Sequence, residues 1–173
     1  VARPEFIDVD DETNHFAFST FYDAHYADLV RALSATLGDA GWGREAADEA
    51  MTRAFDRWND VGGYANPAGW TYRVGLNWAR SWHRKIARRL PWTEDAIALP
   101  YTPDVALDEA IAQLDVKYRA VVVCRYLFDW STDETAAALG IAPGTVKSRL
   151  SVALDKLHQV LDETPVDPDR QGR

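Results

Sequence analysis

Apolar side chains recur every three or four residues through most of the chain, and the interruptions of that rhythm mark its elements. Phe18, Phe21, Tyr22, His25, Leu29 and Leu33 predict a first helix that ends near Gly38. After a break over residues 38–43, Arg44 to Trp58 reads as a second helix. Ala47, Ala50, Met51, Ala54, Phe55 and Trp58 point inward, and Glu45, Asp48, Glu49, Thr52, Arg53, Asp56 and Arg57 outward. Gly62, Gly63, Asn66, Pro67 and Gly69 take the chain out of helix, and a third helix begins near Trp70 with Leu76, Ala79, Ile86 and Leu90 on its packing face. Pro91, Pro100 and Pro103 make residues 91–106 a poor helix and a natural boundary. Leu107, Ala110, Ile111 and Leu114 form a short helix, and Tyr118, Val121, Val122, Arg125 and Tyr126 another.

No stretch sustains period-two alternation, so the fold class is all-α. Two small helical domains are joined by a Pro-containing acidic linker, and the second holds a helix-turn-helix. The expected divisions are an acidic arm over 1–14, a first domain over 15–90, the linker over 91–106, a second domain over 107–163 and a mobile tail over 164–173.

Charge changes the picture at one place. The chain carries a net charge of -8, with 27 acidic and 19 basic residues. Yet Trp70 to Trp92, WTYRVGLNWARSWHRKIARRLPW, holds six basic side chains and no carboxylate. Arg73, Asn77, Arg80, Arg84 and Arg88 follow steps of 4, 3, 4 and 4, one face of a helix. A cationic face carrying Trp, Tyr and Asn can hold phosphates and stack bases, which is what single-stranded nucleic acid requires. Taken alone, the stretch fits an ordinary amphipathic helix with a solvated basic face better, and its neighbours must decide.

The second informative stretch is STDETAAALGIAPGTVKSRLSVALDKLHQVL. Ser131 or Thr132 caps a short helix through Leu139, Gly140 supplies a left-handed turn, and Thr145 opens a longer helix. Ala136 is small where two helices cross, and Val146 is apolar where the second faces inward. Thr145, Lys147, Ser148 and Arg149 then reach phosphates and base edges from the first turn of a helix laid in the major groove, with Arg149 suited to guanine.

Other chemistries are not supported. The single cysteine, Cys124, lies in an apolar run and reads as a buried thiol. The four histidines are scattered, and no phosphate-cradling glycine loop or nucleophile elbow appears, so no catalytic residue, metal or cofactor is expected. No window approaches a membrane span and VARPEF does not read as a signal peptide, so a cytoplasmic protein without membrane insertion is expected. The missing initiator Met points to numbering that starts inside a longer or processed chain.

The residues resemble those of a bacterial RNA polymerase sigma factor of the small, two-domain extracytoplasmic-function group, over about residues 16–163. DETAAALGIAPGTVKSRL resembles the family's promoter-reading helix-turn-helix, and WTYRVGLNWARSWHRK its stretch that binds and opens the minus-ten element. The resemblance implies minus-ten contacts at Tyr64, Asn66, Trp70, Tyr72, Arg73, Asn77, Arg80 and Arg84. Tyr64 and Asn66 lie in the segment that accepts a flipped base. Minus-thirty-five contacts are implied at Thr145, Lys147, Ser148 and Arg149. The second helix, AADEAMTRAFDRW, resembles the polymerase-docking helix and implies contacts from Asp48, Glu49, Thr52, Arg53, Phe55 and Trp58.

The partners so implied are core RNA polymerase, promoter DNA as duplex and melted strand, and an anti-sigma factor. The acidic linker corresponds to the segment that threads the polymerase, though a passive tether fits its composition as well. The chain departs from the family pattern where Thr52 and Arg53 replace a usual Gln-Glu pair, and Gly75 replaces a usual Ala. Gly inside a helix costs roughly 1 kcal/mol against Ala, which predicts a softer third helix. Two other functions stay open on the residues alone: a helix-turn-helix regulator that works without polymerase, and a sigma-like decoy or adaptor.

Overall fold

The computed structural model describes residues 9–87 and 105–163, and the expected linker and tail lie largely outside them. Helix α1 (Val9–Leu37) runs back along α2 (Ala40–Asp56), a single turn α3 (Trp58–Val61) follows, and α4 (Pro67–Ala87) crosses the pair. In the second half come α5 (Val105–Ala112), α6 (Val116–Val122), α7 (Thr132–Leu139) and α8 (Pro143–Glu163). Among the described residues there is no strand, and no described helix is long and apolar enough to cross a membrane.

Several expected boundaries move. Helix α1 already begins at Val9, so residues 9–14 are helix rather than arm. Helix α2 begins at Ala40 because Asp39 caps it, its carboxylate accepting from the Trp42 amide at 2.8 Å. Helix α4 begins three residues before Trp70, with Pro67 at its first position, where a missing amide hydrogen costs nothing.

In the first domain, Phe21, Leu29, Ala32 and Leu33 of α1 meet Ala46, Ala47, Ala50 and Met51 of α2, with Leu76 and Ala79 of α4 closing the core. The alanines let three helices approach closely. At Gly75 a Cβ would lie 2.8 Å from Leu33 Cδ1 and 3.0 Å from the Ala46 carbonyl oxygen, so close packing demands the glycine. The expected softening of α4 therefore gives way to a steric requirement.

The second domain has two small clusters. Ala110, Leu114, Val122, Ala153 and Leu157 join α5, α6 and α8, while Val121, Ala136 and Val146 seat the helix-turn-helix. Ser131 and Glu134 form a reciprocal capping box, and Gly140 takes φ 66°. Between α6 and α7 the backbone widens into a π-helical turn, Val123–Leu127, and Asp129 adopts φ 52°.

That irregular segment joins the halves. Its Phe128 and Trp130 stack at 4.2 Å and both present to the ring of Tyr72 on α4. Tyr72 and Leu76 consequently share one apolar cluster with Ala120, Val123, Cys124, Trp130 and Ala138. The two expected domains are thus packed together.

Replacing Gly75 with alanine is expected to destabilise the chain by about 1–3 kcal/mol, because overpacking outweighs the gain in helix propensity. Equilibrium urea unfolding reads the change directly; a stabilised variant would contradict the packing described here.

Candidate nucleic-acid interface

The start of α4 is built by local hydrogen bonds. Asn66 Oδ1 accepts from the Gly69 amide at 2.7 Å and caps the helix, and the Thr71 hydroxyl donates to the Pro67 carbonyl at 2.9 Å. These bonds hold Trp70 at a corner. Exposed Tyr64 meets its ring edge-on at 6.4 Å, and the Arg57 guanidinium lies 5.8 Å from the ring centre. Beside it a cavity of about 210 Å³ is lined by Arg53, Asp56, Arg57, Trp70 and Val74. Tyr64, Asn66 and Trp70, far from contiguous on a helix face, are gathered in one place.

Arg73, Asn77 and Arg80 are exposed along α4 as their spacing predicts. The Arg84 side chain lies outside the described residues. Tyr72 is a correction: it is 0% exposed and faces the second domain, so in this arrangement it touches no solvent or strand. Its hydroxyl shares a hydrogen bond with Thr36 at 2.6 Å. The step Tyr72, Leu76, Ala79 places it on the packing face, a signal the sequence already carried.

On the helix-turn-helix, Lys147 and Ser148 are exposed, Thr145 and Arg149 half-buried. The Ser148 hydroxyl donates to the Thr145 carbonyl at 3.1 Å. Arg149 turns toward α4 and lines an interdomain cavity with Arg73, Asn77 and Arg80.

The outer side of α2 presents Asp48, Glu49, Thr52 and Arg53. Glu49 pairs with Arg53 at 2.8 Å, Tyr26 donates to Asp48 at 2.6 Å, and the Thr52 hydroxyl bends back to the Asp48 carbonyl at 2.9 Å. The hydrogen bond to Asp48, with burial adding to it, pushes the Tyr26 phenol up to about 12. Phe55 and Trp58, both expected to point inward, part company. Phe55 is 42% exposed, while Trp58 is buried against Phe18 and Phe21. Helix α2 ends at Asp56 and Arg57 leaves helical geometry, which turns Trp58 inward. Among the described residues no three His, Cys, Asp or Glu side chains gather to hold a metal ion.

Comparison with known proteins gives this geometry a family. Residues 104–157 match the family described as sigma-70, region 4. The extracytoplasmic-function RNA polymerase sigma factor SigL of Mycobacterium tuberculosis is 36% identical over 157 residues, 84% of this chain and 89% of the relative. The chain belongs to the extracytoplasmic-function sigma factors. RNA polymerase sigma-E factor of Streptomyces avermitilis is 30% identical over 80% of this sigma factor and 82% of its own length. The fold is similar to that of RpoE from Bartonella quintana, solved in complex with the anti-sigma factor NepR. The TM-score is 0.75 at 19% identity, covering 86% of this chain and 98% of that one.

Sequence reasoning missed two close approaches across the domain boundary of this sigma factor. Two arginines reach across the domain boundary, each onto a glycine that ends a helix in the left-handed conformation. A Cβ at Gly140 would lie 2.6 Å from Arg73 Nη2, and one at Gly38 would overlap Arg119 Nη1. Each guanidinium thereby sits where helix carbonyls concentrate negative charge, at the ends of α7 and α1. Arg119 is buried, its Nε has no hydrogen-bond partner, and burial lowers its pKa from the ordinary arginine value. Arg57 was also missed, being set among the outward residues of a mixed-charge helix.

Cys124 lies beside Tyr72 in this closed cluster, and burial pushes its thiol up to about 12. The stability this neutral thiol contributes is full below its ordinary value of 9.0 and lost as pH rises from there toward about 12. A Cys124→Ala variant is expected to show a flatter fall in urea stability over that alkaline range. At neutral pH the native thiol is expected to resist alkylation until urea opens the cluster; rapid labelling of folded protein would contradict its burial.

Proposed function

We propose that this sigma factor binds core RNA polymerase and directs initiation at promoters of two elements, capturing the opened minus-ten strand on α4 and reading the minus-thirty-five duplex with α8. The observation that carries the reading is the corner where Tyr64, Asn66 and Trp70 converge at the head of a helix that has no carboxylate. An extruded base needs an aromatic wall and a polar edge beside cations that hold its phosphates. The corner supplies all three, with Arg57 beside the Trp70 ring and Arg53 lining the same cavity.

Docking on polymerase is assigned to the outer side of α2, through Asp48, Glu49, Thr52, Arg53 and the exposed Phe55. Trp58 contributes from beneath by packing Phe18, which in turn carries Phe55 at 5.1 Å. The Glu49–Arg53 pair stands in the region of the usual Gln-Glu pair, so docking here uses an altered charge pattern. An anti-sigma partner, such as the Bartonella quintana sigma factor has, is part of the proposal.

Elements centred about 25 base pairs apart lie roughly 85 Å apart at 3.4 Å per base pair. Arg73 and Arg149 line one cavity in the closed chain and cannot serve both elements at once. Promoter engagement therefore separates the domains, and the Tyr72 cluster opens.

Run-off transcription with core polymerase and fragmented genomic template tests the whole reading. Starts that depend on this protein and share two spaced upstream elements are expected, and their absence would refute it. Arg149→Ala is expected to lose about 1–3 kcal/mol of discrimination at the upstream element if its contact to guanine is bidentate. Trp70→Ala should spare upstream binding while suppressing permanganate reactivity of unpaired thymines near the start site. Full reactivity would remove Trp70 from strand capture.

A further inference from the structure

Between the domains lies a partly enclosed cavity of about 310 Å³. Its polar wall is cationic: Arg73, Asn77 and Arg80 come from α4, Lys117 from α6 and Arg149 from α8, and among the described residues no carboxylate lines it. Among the described residues Arg73, Arg80 and Arg149 have no ion pair, and Lys117 has one, with Asp115 at 3.8 Å. This is a protein with 27 acidic residues against 19 basic ones. Three arginines with no ion pair and a lysine with one long pair, turned toward one space, repel one another, more strongly as the space is closed from water. A bound anion removes that cost.

The shape narrows the class of anion. The volume is at the small end of ligand pockets, roughly 300–1,000 Å³, and cannot admit a duplex. Guanidinium groups match phosphate oxygens in pairs, and a lysine adds a compact charge. Leu139 and Ile141, both partly exposed, supply an apolar edge against which a ring can rest.

We propose that this cleft binds a small oligophosphate, a nucleoside di- or triphosphate, with its phosphates among the four cations and its base against the apolar edge. Two of the cations belong to each domain, so the ligand bridges them and holds the sigma factor closed. The inference rests on the proposed function in one respect: Arg73, Asn77, Arg80 and Arg149 are also the promoter-facing groups, so ligand and promoter compete.

The test is calorimetric titration of the full chain, without polymerase or promoter, at about 150 mM salt, where exposed charges are largely screened. The probes are inorganic tripolyphosphate, ATP and GTP, with AMP and short single-stranded and duplex DNA in parallel. One saturable site is expected for tripolyphosphate and for the nucleoside triphosphates, tighter than for AMP, with a melting temperature that rises with ligand concentration. Arg73→Ala should weaken tripolyphosphate binding about tenfold, the scale of one charge-assisted hydrogen bond. Lys117→Gln should weaken it severalfold, and since Lys117 has no place among the promoter contacts, run-off transcription by that variant should be unchanged. The ligand-free melting temperature of each variant shows that it folds.

Three results would overturn the proposal: no saturable binding, binding untouched by both substitutions, or tighter binding of the short DNAs than of tripolyphosphate through the same residues. None of these depends on transcription. A wild-type chain that binds tripolyphosphate yet starts no transcripts would sink the initiation reading and leave the cleft standing.

Discussion

Burial of the Tyr72 ring between Thr36 and the stacked pair Phe128 and Trp130 is the contact on which the arrangement of the two domains depends. A phenol taken wholly out of water must keep a hydrogen-bond partner, and Thr36 is placed to be one. The aromatic pair reaches the ring only because the backbone widens after Val122 and then reverses at Asp129. Irregular backbone in the second domain is thus matched to a single side chain of the first.

Electrostatics reinforces that packing and also limits it. Arg73 and Arg119 each cover the glycine that terminates a helix of the other domain, so two favourable charge–dipole contacts span the boundary. Yet Arg73 stands on the same face as Asn77 and Arg80, the face proposed for the melted strand. A cation that stabilises the closed chain is unavailable to DNA, and one engaged with DNA no longer holds the closed chain. On the proposed function, closure and promoter engagement draw on the same groups, and the anion proposed for the cleft would shift the balance between them.

Much of the fold was legible because its determinants are local. The Ser131 cap, one of the two the sequence offered with Thr132, the left-handed Gly140 and the inward Val146 are all set within sixteen residues, and all stand where their spacing placed them. Periodicity failed where a helix stops without a strong breaker. Phe55 and Trp58 are three residues apart and would share a face of one helix, but the chain leaves helix at Arg57 and restarts, so one is exposed and the other buried. Tyr72 was misplaced for a different reason: its chemistry suits stacking on bases, and that outweighed its step of four to Leu76. Gly75, expected to soften α4, is required by the carbonyl and leucine pressed against it.

By itself the sequence determined the all-helical class, the helix-turn-helix, the carboxylate-free basic helix and the residues that resemble a sigma factor, since each follows from spacing, capping or charge within a short stretch. Tertiary structure alone decided that the two domains share a core, that Arg73 and Arg119 cross between them, and that four cations from three helices face one cavity. These depend on contacts between residues separated by the whole linker, and no periodicity along the chain specifies which face of one domain meets which face of the other.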